Sequence, residues 1–307
     1  MKTYIIGAGA LGSTIGGALA EAGVDVTLIT RNRAHVDAIV RGGLTMRTDA
    51  AEHRIDIGAA VDTHGLPPAD LVIILVKSAQ TKAAIEAAKN TIAPHTCVLT
   101  LQNGLGHEDI LGDAIGAEHI VSGKTYVGGQ ITAPGELLSG IIGRETIIGE
   151  LDGSMSERIL TIAALFEKAD MVLTVSPNIK GVIWDKLLVN VATGALSAVT
   201  GLAYGDLYGV PEVKACAVAA VTEAMAVARA KGVTLSTKAP VDAWNAAAAG
   251  LPHDFKASML QSLEKGARTE VDFINGAVVR AGAEMGVPTP VNATLVACVK
   301  GVERKLI

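Results

Sequence analysis

The chain has 307 residues, a formal net charge of −5, 50% hydrophobic residues and 19% charged residues. A domain commonly takes about 100–200 residues, so this length predicts two domains with a sizeable core. The sequence has no run rich in Lys and Arg, which argues against nucleic acid or an anionic membrane surface as a partner. A small molecule is therefore the expected partner.

The cysteines Cys97, Cys216 and Cys298 are far apart and form no Cys-x-x-Cys or Cys/His ligand spacing. We expect buried apolar cysteines in a reducing compartment, and no metal site, because the histidines form no ligand-spaced cluster. The apolar runs at the N-terminus and at residues 71–76 are too short for a signal peptide or for the roughly 20 residues that span a bilayer. We therefore expect a cytoplasmic protein without a membrane partner.

Up to about residue 130 the sequence alternates short β-rich runs with helical stretches, a pattern typical of a parallel sheet with helices on both faces. The predicted strands are residues 3–6, 25–29, 71–76, 98–100 and 119–122. The predicted helices are residues 12–22, 34–41, 81–91 and 108–115. Because residues 71–76 are all apolar, we expect a central strand buried on both faces.

Between residues 126 and 150 the pattern changes to Gly-punctuated β-like segments, which predict antiparallel strands closing the first domain. A helix at residues 154–168 and a strand at residues 171–174 complete it. From Asn178 onward the chain is rich in Ala and Leu with Gly and Pro breaks, which predicts helices.

Residues 7–12 match G-x-G-x-x-G between the first predicted strand and a helix that we expect to be amphipathic. The first glycine permits a tight turn, the second lets the backbone approach a pyrophosphate, and the third lets the helix pack on the strand. The helix N-terminus then offers N–H groups and a partial positive charge to the phosphates. The predicted dinucleotide-binding residues here are Gly7, Ala8, Gly9, Ala10, Leu11 and Gly12.

These patterns together predict the α/β class. We expect an N-terminal Rossmann-type, doubly wound sheet over residues 1–176 and an all-helical C-terminal domain over residues 177–307. Substrate is expected to bind between the two domains, and the Ala-rich helical domain could pair with a second copy in a homodimer.

The residues after the second predicted strand bear on the choice of cofactor. NAD-specific sites usually place an acid there to bond the ribose 2′-hydroxyl, whereas this chain has Arg31 and Arg33. Arginine suits a 2′-phosphate because of its planar, charged fork. The alternative is that both arginines only solvate a helix start. We predict NADP(H) as the cofactor.

Polar residues in apolar surroundings are the candidates for chemistry. Lys77 and Asn103 follow predicted strands, at the sheet edge where open α/β folds bind ligands. Lys186 and Asn190 are four residues apart and hence on one helix face; Ser258 and Glu270 form the last pair. Taken singly, each of these residues is better explained as solvated surface, so spacing by itself does not establish catalysis.

Reduction of a carbonyl needs a hydride donor and a proton donor for the oxygen. A partly desolvated lysine can donate the proton and stabilise the forming alkoxide. Lys186 is therefore the predicted proton donor.

Several blocks of the sequence together resemble the ketopantoate reductase family over nearly the whole chain. These blocks are residues 7–12, 75–77 (Leu-Val-Lys), 102–104 (Gln-Asn-Gly), 184–190 (Trp-Asp-Lys-Leu-Leu-Val-Asn), 258–261 (Ser-Met-Leu-Gln), 269–276 (Thr-Glu-Val-Asp-Phe-Ile-Asn-Gly) and 286–292 (Gly-Val-Pro-Thr-Pro-Val-Asn). The resemblance implies NADPH-dependent reduction of 2-dehydropantoate (ketopantoate) to pantoate, a step toward pantothenate.

The resemblance also implies roles for individual residues. It assigns proton donation to Lys186, and it places Asn103 near both nicotinamide and substrate. It gives Lys77 and Glu270 cofactor-binding or orienting roles, with Glu270 also among the substrate-binding candidates. Asn190 and Ser258 match substrate-binding positions, and Thr125 matches a further cofactor residue.

Two positions depart from the family pattern. Gly194 stands where the family usually has a second asparagine one helical turn after Asn190, and Phe255 stands where it often has another. Losing pocket hydrogen bonds can change selectivity by orders of magnitude. The alternatives are therefore a reductase of another branched or aromatic 2-oxo acid, or a non-enzymatic NADP(H)-binding sensor.

Overall fold

A computed structural model describes residues 1–48 and 51–306, and the contacts divide the chain into two compact units. The first unit comprises Met1–Gln102 and His107–Ile179, and the second comprises Asn103–Gly106 and Lys180–Ile307. The first unit is an α/β structure and the second is helical, which confirms the predicted fold class.

The strands are β1 (Lys2–Ile6), β2 (Asp25–Ile29), β3 (Leu44–Arg47), β4 (Glu52–Ile55), β5 (Gly58–Ala60), β6 (Leu71–Ile74), β7 (Cys97–Thr100), β8 (Ile120–Thr125), β9 (Gly128–Ala133), β10 (Glu136–Gly140), β11 (Thr146–Gly149) and β12 (Leu173–Val175). The α-helices are α1 (Ala10–Glu21), α2 (Arg33–Gly42), α3 (Thr81–Ala87), α4 (His107–Ile115), α5 (Glu157–Lys168), α6 (Ile179–Thr200), α7 (Tyr204–Tyr208), α8 (Pro211–Ala230), α9 (Pro240–Ala248), α10 (Ser258–Glu264), α11 (Asn275–Met285) and α12 (Pro290–Leu306).

The main sheet of the first unit has the order β12-β11-β8-β7-β6-β1-β2-β5. The six strands from β8 to β5 are parallel, and β11 runs antiparallel to β8. This is the order of a dinucleotide-binding sheet, in which connections go outward in both directions from the first strand. The switch between β1 and β6 therefore marks the edge where a ligand is expected.

Strand β6 is buried at every position, as predicted for a central strand. Its alternate side chains enter two separate cores: Leu71 and Ile73 join the cluster that includes α1 and α5, whereas Val72 and Ile74 join the cluster that includes α3 and α4. The strand ends at Ile74 rather than Val76, although the Leu75 N–H still donates to the carbonyl oxygen of Ile6 in β1 at 2.8 Å.

A second, four-stranded sheet, ordered β4-β3-β10-β9, packs on α1 and was not predicted. Of the antiparallel segments expected to close the first domain, β9 and β10 belong to this second sheet and β11 joins the main one. The expected amphipathic character of α1 was also wrong, because residues 12–19 are all buried. Small residues permit this: Gly16 lies against Leu28 of the main sheet, and Gly17 lies against Leu44 of the second.

The second unit is built around α6, whose residues 191–198 are all buried. This helix packs with α8 to α12 in one apolar core. Among the described residues, α6 is the helix that is long and apolar enough to cross a membrane, but 67% of its most apolar window is buried inside the protein. That burial is typical of the core helix of a soluble domain.

The three cysteines are free and differ in environment. Cys97 is buried, and burial raises the pKa of its thiol to about 12. Cys298 is exposed and Cys216 is half-buried, so the expectation of buried cysteines was right only for Cys97.

Candidate functional site

The turn at residues 7–12 joins β1 to α1, and each of its glycines has a distinct environment. Gly7 has a φ of +100°, and a Cβ there would lie 2.5 Å from the amide nitrogen of Val76. A Cβ on Gly12 would lie 2.5 Å from the carbonyl oxygen of Gly7, so both positions require glycine for packing. A Cβ on Gly9 would meet nothing within 4 Å. The middle glycine therefore borders open space that a bound dinucleotide could fill.

The backbone N–H groups of this turn divide into two sets. Those of Gly7 and Ala8 donate to the carbonyl oxygen of Ile29, at 2.9 and 3.1 Å, and so shape the turn. Those of Ala10, Leu11 and Gly12 lie in the first turn of α1, where a helix provides no intrahelical acceptor. The second set can donate to a pyrophosphate, and the positive end of the helix dipole supports the same ligand.

The two arginines predicted to select the cofactor follow β2: Arg31 lies in the loop, and Arg33 is the first residue of α2. Arg31 and Arg33 are exposed, and neither forms a salt bridge with a residue that the structure describes. Between them, the Asn32 side chain accepts a hydrogen bond from the His35 N–H at 3.3 Å and caps α2. The cap fixes the loop while leaving both guanidinium groups available to an anionic ligand.

His35 connects this loop to the second sheet and to α1. Its ring is buried, with 1% exposure, and Nδ1 accepts from the N–H of Gly135 at 3.0 Å. Nε2 lies 3.2 Å from the hydroxyl of Ser13, which therefore accepts the Nε2–H. Burial lowers the pKa of His35, so the ring stays neutral in this network.

Gln102 organises the carboxyl ends of β6 and β7. Its Nε2 donates to the carbonyl oxygen of Val76 at 2.8 Å and to the hydroxyl of Thr81 at 2.9 Å. The Thr81 hydroxyl also lies 3.2 Å from Nδ1 of the buried His107. These bonds hold the backbone immediately before the exposed Lys77, and they anchor the residue that precedes Asn103.

Thr125 ends β8, and its hydroxyl takes part in sheet contacts. It is buried, pairs with the hydroxyl of Thr146 at 2.8 Å and accepts the N–H of Val127 at 3.1 Å. These bonds connect β8 to β11. A cofactor contact by Thr125 stays a prediction from resemblance.

Five residues predicted for substrate or catalysis fall in the second unit. Asn103 belongs to it because residues 103–106 pack on the segment that follows Glu270. The N–H of Leu105 donates to the carbonyl oxygen of Phe273 at 2.9 Å, and a Cβ on Gly104 would lie 2.4 Å from the same oxygen. The structure thus brings the Asn103 and Glu270 segments together. The remaining members are Lys186, Asn190 and Ser258.

Lys186 and Asn190 lie one turn apart on α6, and both are half-buried. The neighbouring Asp185 fixes this part of the helix. Its carboxylate accepts from the N–H and hydroxyl of Ser236, at 2.9 and 2.7 Å, and from the N–H of Thr237 at 2.9 Å. Although burial alone would raise the pKa of Asp185, these hydrogen bonds hold it below its ordinary value. Asp185 is therefore a positioning anion beside the predicted proton donor.

Ser258 begins α10 and is exposed, whereas the adjacent Met259 is buried. A Cβ on Gly194 would lie 3.3 Å from Cε and 3.4 Å from Sδ of Met259. The thioether thus occupies the space beside Gly194 where the family usually places an asparagine side chain. The α6 face is therefore polar at Lys186 and Asn190 and apolar one turn later.

Phe255, the second departure, packs edge-on against Tyr204 with ring centroids 5.1 Å apart. The Tyr204 hydroxyl in turn pairs with the hydroxyl of Thr193 on α6 at 2.9 Å. Phe255 therefore packs in the core of the helical unit, where it supports α6 through Tyr204.

Three residues that support the candidate site were given no role in the sequence analysis. Gln102 and Asp185 stood inside the quoted motifs but were assigned no role, although adjacency to Asn103 and Lys186 was a usable signal. Gly129 of β9 lies against the first turn of α1, since a Cβ there would be 2.5 Å from the Thr14 hydroxyl. That approach depends on the second sheet and has no local signal.

Among the residues that the structure describes, no group of three or more His, Cys, Asp or Glu side chains could hold a metal ion.

Comparisons with known proteins cover the whole chain. A family model described as ketopantoate reductase PanE/ApbA matches residues 3–153, and its C-terminal counterpart matches residues 178–303. A 2-dehydropantoate 2-reductase from Halobacterium salinarum is 34% identical over 305 residues, covering 99% of each chain.

Two solved structures have the same fold over the full length. A PanE/ApbA family ketopantoate reductase from Ralstonia eutropha is 36% identical with a TM-score of 0.91, covering 100% of this chain and 99% of the other. D-mandelate dehydrogenase with NADH and anilino(oxo)acetate is 27% identical with a TM-score of 0.91 and the same coverage.

Proposed function

Because the chain belongs to the ketopantoate reductase family, we propose that it catalyses the NADPH-dependent reduction of 2-dehydropantoate to pantoate. The main support for this proposal is that the cofactor-binding turn lies in one unit and the residues predicted for substrate and catalysis lie in the other. One unit has a glycine turn with open space at Gly9, and the other gathers the five residues predicted for substrate and catalysis. A sensor would need the turn but not the second set.

The cofactor supplies a hydride to the carbonyl carbon when it is bound. The pyrophosphate would be held by the N–H groups of Ala10, Leu11 and Gly12, and the 2′-phosphate by Arg31 and Arg33. The exposed Lys77 extends the binding surface at the carboxyl end of β6, and Asn103 is a further cofactor-binding candidate. Glu270 and Thr125 complete the cofactor-binding candidates.

Lys186 donates the proton that the substrate oxygen requires as it gains charge. Its ammonium also stabilises the negative charge that develops on this oxygen. Such electrostatic stabilisation is usually the largest single contribution to catalysis. Asn190 lies one turn further along α6 and offers an amide to the same substrate, and Asp185 holds this part of the helix in place. Asn103, Ser258 and Glu270 orient the substrate through neutral and charged hydrogen bonds.

The experiment is steady-state oxidation of NADPH with three separate 2-oxo acids. They are ketopantoate, 2-oxoisovalerate and phenylglyoxylate, the 2-oxo acid that corresponds to mandelate. The proposal predicts a specificity constant for ketopantoate at least about 100-fold above the others, equivalent to about 3 kcal/mol of transition-state discrimination. Preference for phenylglyoxylate would instead assign the enzyme to aromatic substrates. No turnover of any 2-oxo acid, with NADPH still bound, would favour the sensor.

The remaining parts of the proposal concern the protein's setting. We infer that the enzyme acts on a small 2-oxo acid in the cytoplasm. The lack of a run rich in Lys and Arg argues against nucleic acid or an anionic membrane surface as a partner. A homodimer through the helical unit is a further prediction, and light scattering of the purified protein tests it.

A further inference from the structure

Among the Asp, Glu, Lys and Arg side chains that the structure describes, two are buried: Glu150 with 5% exposure and Lys124 with 7%. Burying a charge is costly unless the charge is paired. Glu150 meets this requirement, because Arg158 donates to its two carboxylate oxygens at 2.7 and 2.6 Å and the Ser156 hydroxyl donates as well. Lys124 has no comparable arrangement.

The Lys124 ammonium contacts only a neutral group. Nζ donates to the Tyr126 hydroxyl at 2.8 Å and lies 4.8 Å from the centre of the same ring. No carboxylate of a described residue lies within 4.0 Å of it. The nearby Glu145 accepts instead from the Thr174 hydroxyl at 2.6 Å. Because an unpaired buried charge is costly, a buried ammonium without a carboxylate partner among the described residues is a candidate for binding an anionic ligand.

The position of Lys124 in the fold identifies the anion. It is the penultimate residue of β8, and the β7–β8 register pairs Thr100 with Ser122. Continued by two residues, that register brings Lys124 level with Gln102, which immediately precedes Asn103. Lys124 therefore lies at the carboxyl edge of the sheet, where open α/β folds bind their ligands.

We propose that Lys124 binds the carboxylate of the 2-oxo acid substrate. This inference rests on the proposed function, in which hydride is delivered at this edge of the sheet. In a 2-oxo acid the carboxylate is bonded directly to the carbon that accepts the hydride. A negative charge therefore lies next to the reacting carbon when the substrate is bound. Lys124 supplies the matching positive charge.

The competing explanation is structural: Lys124 would serve only to bond Tyr126. Three variants separate the two explanations. Lys124→Met removes the charge at nearly constant length, Tyr126→Phe removes only the hydroxyl, and Lys82→Met removes the charge of an exposed lysine on α3 as a control. A structural role predicts that the first two variants behave alike.

The probes are the preferred 2-oxo acid and its methyl ester, which has the same carbonyl but no charge. In Lys124→Met we expect kcat/KM for the acid to fall about 100-fold, because a charge-assisted bond in a desolvated site is lost. For the ester we expect a change of less than about threefold. Tyr126→Phe and Lys82→Met should retain the wild-type acid-to-ester ratio. An equal loss for acid and ester, or no loss for the acid, would overturn the proposal.

Binding and melting measurements make the test independent of turnover and of folding. Oxamate, a stable analogue of a 2-oxo acid, is titrated into the NADPH-loaded protein and followed by cofactor fluorescence. The wild-type protein and Lys82→Met should bind it, and Lys124→Met should bind it about 100-fold more weakly with an unreduced Tm. Equal oxamate affinity in wild type and Lys124→Met would refute the role of Lys124. If the wild type binds oxamate but reduces no 2-oxo acid, the proposed function fails while the carboxylate site stands.

Discussion

Gly9→Ala separates cofactor binding from folding more sharply than other changes in the glycine turn. Gly9 has φ −80° and ψ −158°, which alanine adopts without strain, and an added Cβ meets nothing within 4 Å. Alanine reduces the entropy of the unfolded chain but is a poorer helix N-cap than glycine, and each effect is at most about 1 kcal/mol. The free energy of unfolding of the cofactor-free protein should therefore change by less than about 1 kcal/mol.

The same methyl group occupies space through which a pyrophosphate must approach the backbone. Steric crowding in a packed site typically costs about 1–3 kcal/mol, so NADPH affinity should fall about 10- to 100-fold. Fluorescence titration measures the affinity, and thermal melting measures the fold. Gly301→Ala on α12 is the matched control, because its Cβ also meets nothing within 4 Å. Wild-type NADPH affinity in Gly9→Ala would refute the reasoning that this space holds the dinucleotide.

Arg31→Ala should lower the affinity for NADPH about 10- to 100-fold and leave the affinity for NADH nearly unchanged, whereas Arg41→Ala should change neither affinity. Equal losses of affinity for both cofactors, measured by titration, would contradict a contact between Arg31 and the 2′-phosphate. Burial lowers the pKa of His35 from its ordinary 6.5, so its stabilising contribution is complete above pH 6.5 and is lost as the pH falls below that value. The free energy of unfolding, measured with urea, should therefore fall more steeply from about pH 7 to about pH 5 in wild type than in His35→Gln. Equal pH dependence in the two proteins would show that His35 is not the source of this loss of stability. Asp185→Ala should lower the free energy of unfolding by about 1–3 kcal/mol, because three hydrogen bonds to a carboxylate are lost. Denaturant titration of the variant and the wild type measures this difference. Lys186→Ala should reduce kcat by about 10²- to 10⁴-fold with NADPH affinity kept within about twofold, and retained turnover would remove its role as proton donor.

The sequence predicted those elements whose signal is local. Strand β2 was predicted with its observed bounds, and β6 was recognised because a strand buried on both faces is apolar at every position. Its end was placed two residues too late, because Leu75 and Val76 are apolar but lie beyond the last residue of the strand. The Val76 carbonyl instead accepts from Gln102, a contact between segments distant in sequence.

The second sheet could not be predicted in this way. Strand β4 carries Glu, His and Arg at three exposed positions, so it does not show the pattern of a strand. Strand β3 is completed by parallel pairing with β10, from a distant part of the chain. The same sheet buries α1 on its second side, which is why the expectation of an amphipathic helix was wrong.

Within the candidate site, motifs identified residue types and strand ends, but side-chain partners depend on the tertiary structure. The Thr125 hydroxyl is bonded to Thr146, and Met259 occupies the space beside Gly194. Lys124 sits next to a residue chosen from the motif, yet only its burial without a carboxylate partner draws attention to it.

The central claim is that this chain reduces ketopantoate with NADPH. Its most direct test follows the absorbance of NADPH with ketopantoate, in wild type and Lys186→Ala, and identifies the product by mass spectrometry. The wild-type enzyme should form pantoate in stoichiometric amounts, and the variant should form it about 10²- to 10⁴-fold more slowly, with NADPH bound by both. Failure of the wild-type protein to form pantoate while it binds NADPH would contradict the account.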